Sequence, residues 1–249
     1  MSRISLDNVH VHYPVLNDHY LSLRRAMLRL VTGGRLYKQD AEMQLVHALR
    51  GISLTVEDGD RLALVGRNGA GKSTLLKTIG GFIRPHSGDM SVEGRTTSLF
   101  NANGGMDTER TGLDNIFLMG RLYGVARKDM EQHVADIAEF SELGRFLGLP
   151  VRSYSDGMKV RLGVAIVTCL HPDILVLDEA IGAGDAHFIE KATQRAQKLY
   201  ARANIIVIAS HDPSILRRLC NRAAWIDEGH IVRTGSVDEI VEAYTNATV

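Results

Sequence analysis

Gly66-Arg67-Asn68-Gly69-Ala70-Gly71-Lys72-Ser73 fits G-x-x-x-x-G-K-[ST], and it stands between the apolar run Leu62-Ala63-Leu64-Val65 and the helix-forming Thr74-Leu75-Leu76-Lys77. Strand, glycine turn and helix start, in that order, are the context a phosphate-binding loop requires. Glycines let successive backbone N–H groups converge on phosphate oxygens, and the following helix offers its positive end. Lys72 reaches the β and γ phosphates, and the Ser73 hydroxyl is a ligand for magnesium. The expected nucleotide contacts are thus Gly66, Arg67, Asn68, Gly69, Ala70, Gly71, Lys72, Ser73 and Thr74. Downstream, Ile174-Leu175-Val176-Leu177 predicts a buried strand that delivers Asp178-Glu179 at its carboxyl end, where an open α/β sheet places its ligand site. Asp178 is expected to hold magnesium, and Glu179 to polarise a water for in-line attack on the γ-phosphate.

Composition narrows the classes. The chain has 249 residues, 45% hydrophobic and 23% charged, a balance that fits one globular unit with a sizeable core. Its 29 basic residues cancel 29 acidic ones, so no global positive field draws it to nucleic acid or anionic lipid. No uncharged apolar run approaches the ~18 residues a membrane span needs, and Met1-Ser2-Arg3-Ile4-Ser5 lacks a signal-peptide core. A cytoplasmic location is expected, and Cys169 and Cys220 read as reduced packing residues.

The pattern predicts strands over 3–13, 52–56, 62–65, 174–177 and 205–209, and a glycine-punctuated strand region to about Phe100. Residues 111–170 read as largely helical with Thr111 and Ser155 as caps. A helix over 186–202, a hairpin turning at Glu228-Gly229 and a final amphipathic helix near 236–245 follow. Between Pro14 and Val46 lies an insertion in which Leu21, Leu23, Met27, Leu28 and Leu30 mix with Arg24, Arg25 and Arg29. That composition predicts a short basic amphipathic helix, packed on its own domain or laid against a membrane surface or membrane partner. His10, His12 and His19 with Asp18 lack the ordered spacing of a zinc site. Gln194, Arg195, Lys198 and Arg202 read as a solvated helix face.

A phosphate loop alone leaves kinases, GTPases, helicases and transport ATPases open. Tyr154-Ser155-Asp156-Gly157-Met158, opening a helix, resembles the LSGGQ signature of ABC ATPases, with Ser155 and Gly157 matching outright. His211, after the strand Ile205–Ala209, resembles the family's switch histidine, and Asp185 fits the loop after the catalytic acid. The resemblance covers essentially the whole chain. It implies an α/β fold, a RecA-like P-loop ABC nucleotide-binding domain over 1–249 with an antiparallel β subdomain and a helical subdomain at 107–172. It also implies ATP with Mg2+, and a homodimer in which each ATP lies between one chain's phosphate loop and the other's signature. Ser155, Gly157 and Asp185 then complete the partner's site, and His211 joins Lys72 and Glu179 in catalysis.

Within that family the chain is similar to the ATP-binding subunits of polysaccharide exporters, the Wzt and KpsT group. Thr111-Gly112-Leu113-Asp114-Asn115-Ile116 resembles the group's T-G-x-[ED]-N-I segment, and Asp178-Glu179 continuing to Gly184-Asp185-Ala186-His187-Phe188 resembles its D-E-x4-G-D-x2-F run. The tyrosine-led signature and the 14–46 insertion also fit. Tyr13 looks like the aromatic that stacks on adenine. No glutamine stands in Ser98–Met106, the place of the linking loop, which leaves Asn101 as the candidate there. The resemblance implies a peripheral protein on the cytoplasmic face of the inner membrane, two copies of a separate integral-membrane permease, and a lipid-linked polysaccharide as cargo. A carbohydrate-binding domain after the catalytic fold is not expected. Three other readings remain at this level: an ABC exporter of another lipid or drug, a nucleotide-switched ABC protein on nucleic acid or ribosomes, and a small-molecule phosphotransferase.

Overall fold

In the first strand, β1 (Arg3–Pro14), the apolar residues facing inward change phase: Ile4 and Leu6 are buried, then Val9 and Val11. An extra residue absorbs the change. Asn8 takes a left-handed backbone with φ of 49°, and the register with β2 (Leu45–Glu57) shifts between Leu6 and Val9. The bulge puts Val9 and Val11 on the same core face as Ile4 and Leu6. The computed structural model describes residues 1–14, 45–99, 105–178 and 186–248. The expected helix of the 14–46 insertion, with His19 and Asp18, lies outside them, but Leu45 and Val46 already belong to β2 and pair with Pro14 and Tyr13.

β1 is the middle of a three-stranded antiparallel sheet, flanked by β2 and β4 (Ser87–Glu93). A six-stranded sheet holds β5 (Thr96–Leu99), β6 (Ile174–Asp178), β7 (Ile205–Ala209), β3 (Arg61–Val65), β8 (Arg222–Asp227) and β9 (His230–Ser236) in that order. The first five run parallel and β9 closes the edge antiparallel. β6 and β7 read as continuous apolar runs because both faces of the sheet are covered. One face packs on the small sheet and on α1 (Lys72–Ile79), through Leu75, Leu76 and Ile79. The other packs on α5 (Ala186–Arg202), α6 (Pro213–Leu219) and α7 (Val237–Thr248).

Between β5 and β6 the helices α2 (Gly112–Leu122), α3 (Arg127–Ser141) and α4 (Asp156–Thr168) form a core of their own around Ile116, Met119, Ile137, Leu162 and Ile166. The expected helical stretch is interrupted: Glu142 caps α3 in a left-handed conformation, and two 3-10 turns, Gly144–Gly148 and Val151–Ser153, flank Pro150. Phe188, buried on α5, joins this bundle to the sheet layer by packing on Val164 and lying 5.4 Å from the Phe140 ring. Cys169 and Cys220 are free and buried, as expected. No helix among the described residues is long and apolar enough to cross a membrane.

Candidate active site

Three neighbouring strands, β6, β7 and β3, end side by side at the same edge of the large sheet. Asp178 ends β6, Ser210-His211 follow β7, and the glycine loop follows β3. Two glycines of the loop are required by their surroundings. At Gly66 the φ is 151° and a Cβ would stand 2.2 Å from the Ile226 carbonyl oxygen; at Gly71 the φ is 110° and a Cβ would meet the Ala48 oxygen at 2.6 Å. Both positions combine a left-handed backbone with a close approach that no side chain tolerates. Gly71 opens α1 without any side-chain cap, and the helix has no acid in its first turn. The N–H groups there therefore keep their capacity for an anion.

Lys72 is mostly buried, and its Nζ donates to the carbonyls of Gly66 at 2.6 Å and Arg67 at 2.9 Å. The ammonium is thus folded onto the loop that precedes it. A brace holds the loop from outside: Gly229 donates its N–H to the Ala70 carbonyl at 2.9 Å, and its own carbonyl accepts from Arg50 at 2.8 Å. The sequence signalled the Glu228-Gly229 turn but not this contact, which depends on β9 lying beside β8.

A cavity of about 410 Å³ sits at these strand ends. Asn68, Gly69, Gly71, Lys72, Ser73 and Thr74 line it from the loop and helix, and Asp178 and His211 from the neighbouring strands. Sequence reading missed Val46, His47, Ala48 and Ser210, which with Ala209 complete the wall. No motif marks them: Val46, His47 and Ala48 belong to β2, which the fold brings against the loop and against Gly229, and Ser210 simply follows β7. Tyr13 is 40% exposed and stands opposite the wall residue Val46, while not lining the cavity itself. Glu179, Asp185 and Asn101 lie outside the described residues.

The Ser73 hydroxyl and the Asp178 carboxylate are hard oxygen donors sharing this cavity, the donor chemistry that suits Mg2+, which keeps several waters and takes few protein ligands. Of the histidines in the first strand, His12 lies 3.6 Å from the ring of His86 and 5.6 Å from that of His47. Desolvation, then His86 and His47, lowers its pKa. Among the described residues no group of three His, Cys, Asp or Glu is placed to hold a metal ion.

Ser155 and Gly157 are exposed and stand apart from the cavity lining. Ser155 caps α4, accepting from the Met158 N–H at 3.3 Å. Tyr154 is buried, and its hydroxyl donates to the Phe146 carbonyl at 2.6 Å. A Cβ on Gly112 would meet that hydroxyl at 2.2 Å. The glycine of Thr111-Gly112 and the leading tyrosine of the signature are therefore one packing unit. Asn115, fully buried, closes the same segment: its amide donates to the carbonyls of Asp107 and Thr111, both at 2.9 Å, and its Oδ1 accepts from the Asp107 N–H at 2.8 Å. Thr111 caps α2 by accepting from the Asp114 N–H at 3.0 Å.

Parallel sheet, phosphate loop and acid at adjacent strand ends define a P-loop nucleotide-binding protein. The family model for ABC transporters matches residues 49–182. The chain is 43% identical to the O-antigen export system ATP-binding protein RfbE of Yersinia enterocolitica, over 93% of this chain and 97% of that one. It is 39% identical to the teichoic acids export ATP-binding protein TagH of Staphylococcus epidermidis, over 80% of this chain and 75% of that one. Among solved structures, an ATP-binding subunit of an ABC transporter superposes with a TM-score of 0.69 at 20% identity, covering 97% of this chain and 93% of its own. A dimeric ATP-binding cassette in a post-hydrolysis state with ADP and phosphate gives 0.67 at 20% identity, covering 94% and 98%. The chain belongs to the ABC transporter family as an ATP-binding, ATP-hydrolysing subunit, in the group that contains the O-antigen and teichoic acid export proteins.

Proposed function

We propose that the protein powers export of a lipid-linked cell-surface polysaccharide through a separate integral-membrane permease, as a homodimer paired with two permease copies on the cytoplasmic face of the inner membrane. The observation that carries the chemistry is the single cavity gathering Lys72, Ser73, Asp178 and His211. The names of the relatives, which are export ATP-binding proteins for O-antigen and teichoic acids, support the cargo class.

In this reading the loop N–H groups and the start of α1 bind the phosphates, and Lys72 leaves its carbonyl partners to meet the β and γ oxygens. Ser73 and Asp178 hold Mg2+, which when bound neutralises charge between the β and γ phosphates. Glu179 follows Asp178 in sequence and takes the proton of the attacking water, while His211 donates toward the γ-phosphate as its charge grows. Tyr13 flanks adenine, Asn101 serves in the linking loop, and Ser155, Gly157 and Asp185 of one chain complete the other's site. Exposure of the signature tip supports such a composite site, because its polar groups face outward, where a second chain can meet them.

Glu179→Gln tests the whole assignment. The variant is expected to bind ATP, to accumulate as a closed dimer and to lose turnover by roughly 100- to 10,000-fold. Normal phosphate release from a clean preparation would overturn Glu179 as the base. In the producing cell the same variant is expected to leave the polysaccharide inside. An unchanged surface glycan with ATP hydrolysis abolished would remove the cargo assignment and keep the catalytic one.

A further inference from the structure

A second hollow, of about 270 Å³, lies on another side of the molecule between α3, the segment after α4, and α5. Arg195, Lys198 and Arg202 line it from α5, at a spacing that puts them on one face of the helix. His133 and Asp136 face them from α3, and His171 from the turn before β6. The sequence pattern read this basic face as solvated, and for Arg195 the structure corrects it. The Arg195 guanidinium lies 4.4 Å over the Phe140 ring and pairs with both oxygens of Asp136. Its charge and that of the lone acid lining the hollow are therefore mutually satisfied.

Lys198 and Arg202 are not so compensated. Lys198 has no ion pair among the described residues, and Arg202 points its Nη1 to within 2.8 Å of the His171 Nε2. An imidazole nitrogen that accepts from a guanidinium is neutral, and desolvation, then the charges of Arg202, His133 and Arg95, lowers the pKa of His171. The His133 ring stands 6.3 Å from that of His171. Two cations and two imidazoles thus converge on a hollow whose one acid is already bound. A guanidinium with five N–H donors keeps most of them available after one is used on His171.

We propose that this hollow binds a small, multiply charged oxyanion of the phosphate class, held by Lys198 and Arg202 with His133 and His171 as further hydrogen-bond donors. Its volume of about 270 Å³ accommodates a group the size of pyrophosphate. An anion there joins α3 of the helical bundle to α5 of the sheet layer, so binding also stabilises the contact between the two parts of the chain.

The test uses the full chain with its phosphate loop saturated by ADP and Mg2+, so that added phosphate reports on the second site alone. Pyrophosphate and inorganic phosphate are titrated while the imidazole NMR signals of His133 and His171 are followed, against sodium chloride of matched ionic strength. The expected result is a saturable shift of both signals, tighter for pyrophosphate and not produced by chloride. The double variant Lys198→Ala/Arg202→Ala should weaken it by about tenfold or more and leave ADP binding unchanged. Both side chains are exposed, so their removal leaves no buried void. Vesicles of phosphatidic acid locate the source: a response to vesicles places the phosphate on a lipid headgroup, and a response to pyrophosphate alone places it on a soluble molecule. No saturable shift with any probe, an equal shift with chloride, or undiminished binding by the double variant would overturn the proposal. The two cations would then serve only the carbonyl end of α5.

Discussion

Two helix starts in this chain carry family motifs, and they are built in opposite ways. α1 begins at Gly71 with no side-chain cap and no acid in its first turn, inside a cavity. α4 begins at Ser155, whose hydroxyl accepts from Met158, and Asp156 stands in its first turn at the exposed surface. An uncapped start retains N–H groups and a positive end for an anion, whereas a capped, acid-bearing start is stable without a ligand. The difference teaches how the labour divides. The phosphate loop's helix start keeps its N–H groups for an anion within one chain, and in the proposed function the capped signature start stands ready for the nucleotide of a second chain.

Lys72→Ala breaks the first half of this comparison and carries the largest effect. Loss of a charge-assisted contact to phosphate is expected to weaken ATP binding by roughly 100-fold, read by calorimetry on the purified chain. Ser155→Ala breaks the second half: ATP affinity of the isolated chain should stay unchanged while turnover at high protein concentration falls roughly tenfold. Thermal unfolding should also show a cap loss of about 1 kcal/mol. A matching fall in ATP affinity of the isolated chain would mean that Ser155 contacts its own nucleotide and not the partner's.

The smallest effect concerns how α4 is held. Glu142, the left-handed cap of α3, accepts from Arg161 of α4 at 2.7 Å and from Lys191 of α5. The Lys191 and Arg161 hydrogen bonds lower its pKa. A carboxylate with a depressed folded pKa contributes stability that is fully present above the unfolded value of about 4.3 and is lost as pH falls through the folded one. Glu142→Gln should therefore lower stability slightly at neutral pH and flatten its decline in acid. Urea unfolding between about pH 6 and pH 3 checks the sign.

Some of this was plain in the order of residues. The phosphate loop, the acid after an apolar run and the two capping residues Thr111 and Ser155 were legible because each is a local arrangement: a glycine turn, a strand end, a hydroxyl three residues before an N–H. α6 carried a signal that went unread, Asp212 as cap followed by Pro213 at the first helical position. The asparagine of Thr111–Ile116 was visible as a motif, but not its task of closing the 107–111 turn.

By itself, then, the sequence determined the α/β class, the phosphate loop and the acid that follows an apolar strand. Those features follow from period, turn chemistry and spacing within a few residues, while the family entered through the resemblance of its motifs. Only the tertiary structure decided that β6, β7 and β3 are neighbours, that β2 and Ser210 wall the cavity, and that Gly229 braces Ala70 from far along the chain. It also decided that Arg195 is spent on Phe140 and Asp136 while Lys198 and Arg202 face two imidazoles. These are contacts between segments distant in sequence, set by sheet order and helix packing, and a local pattern of residues does not encode which distant segment a face will meet.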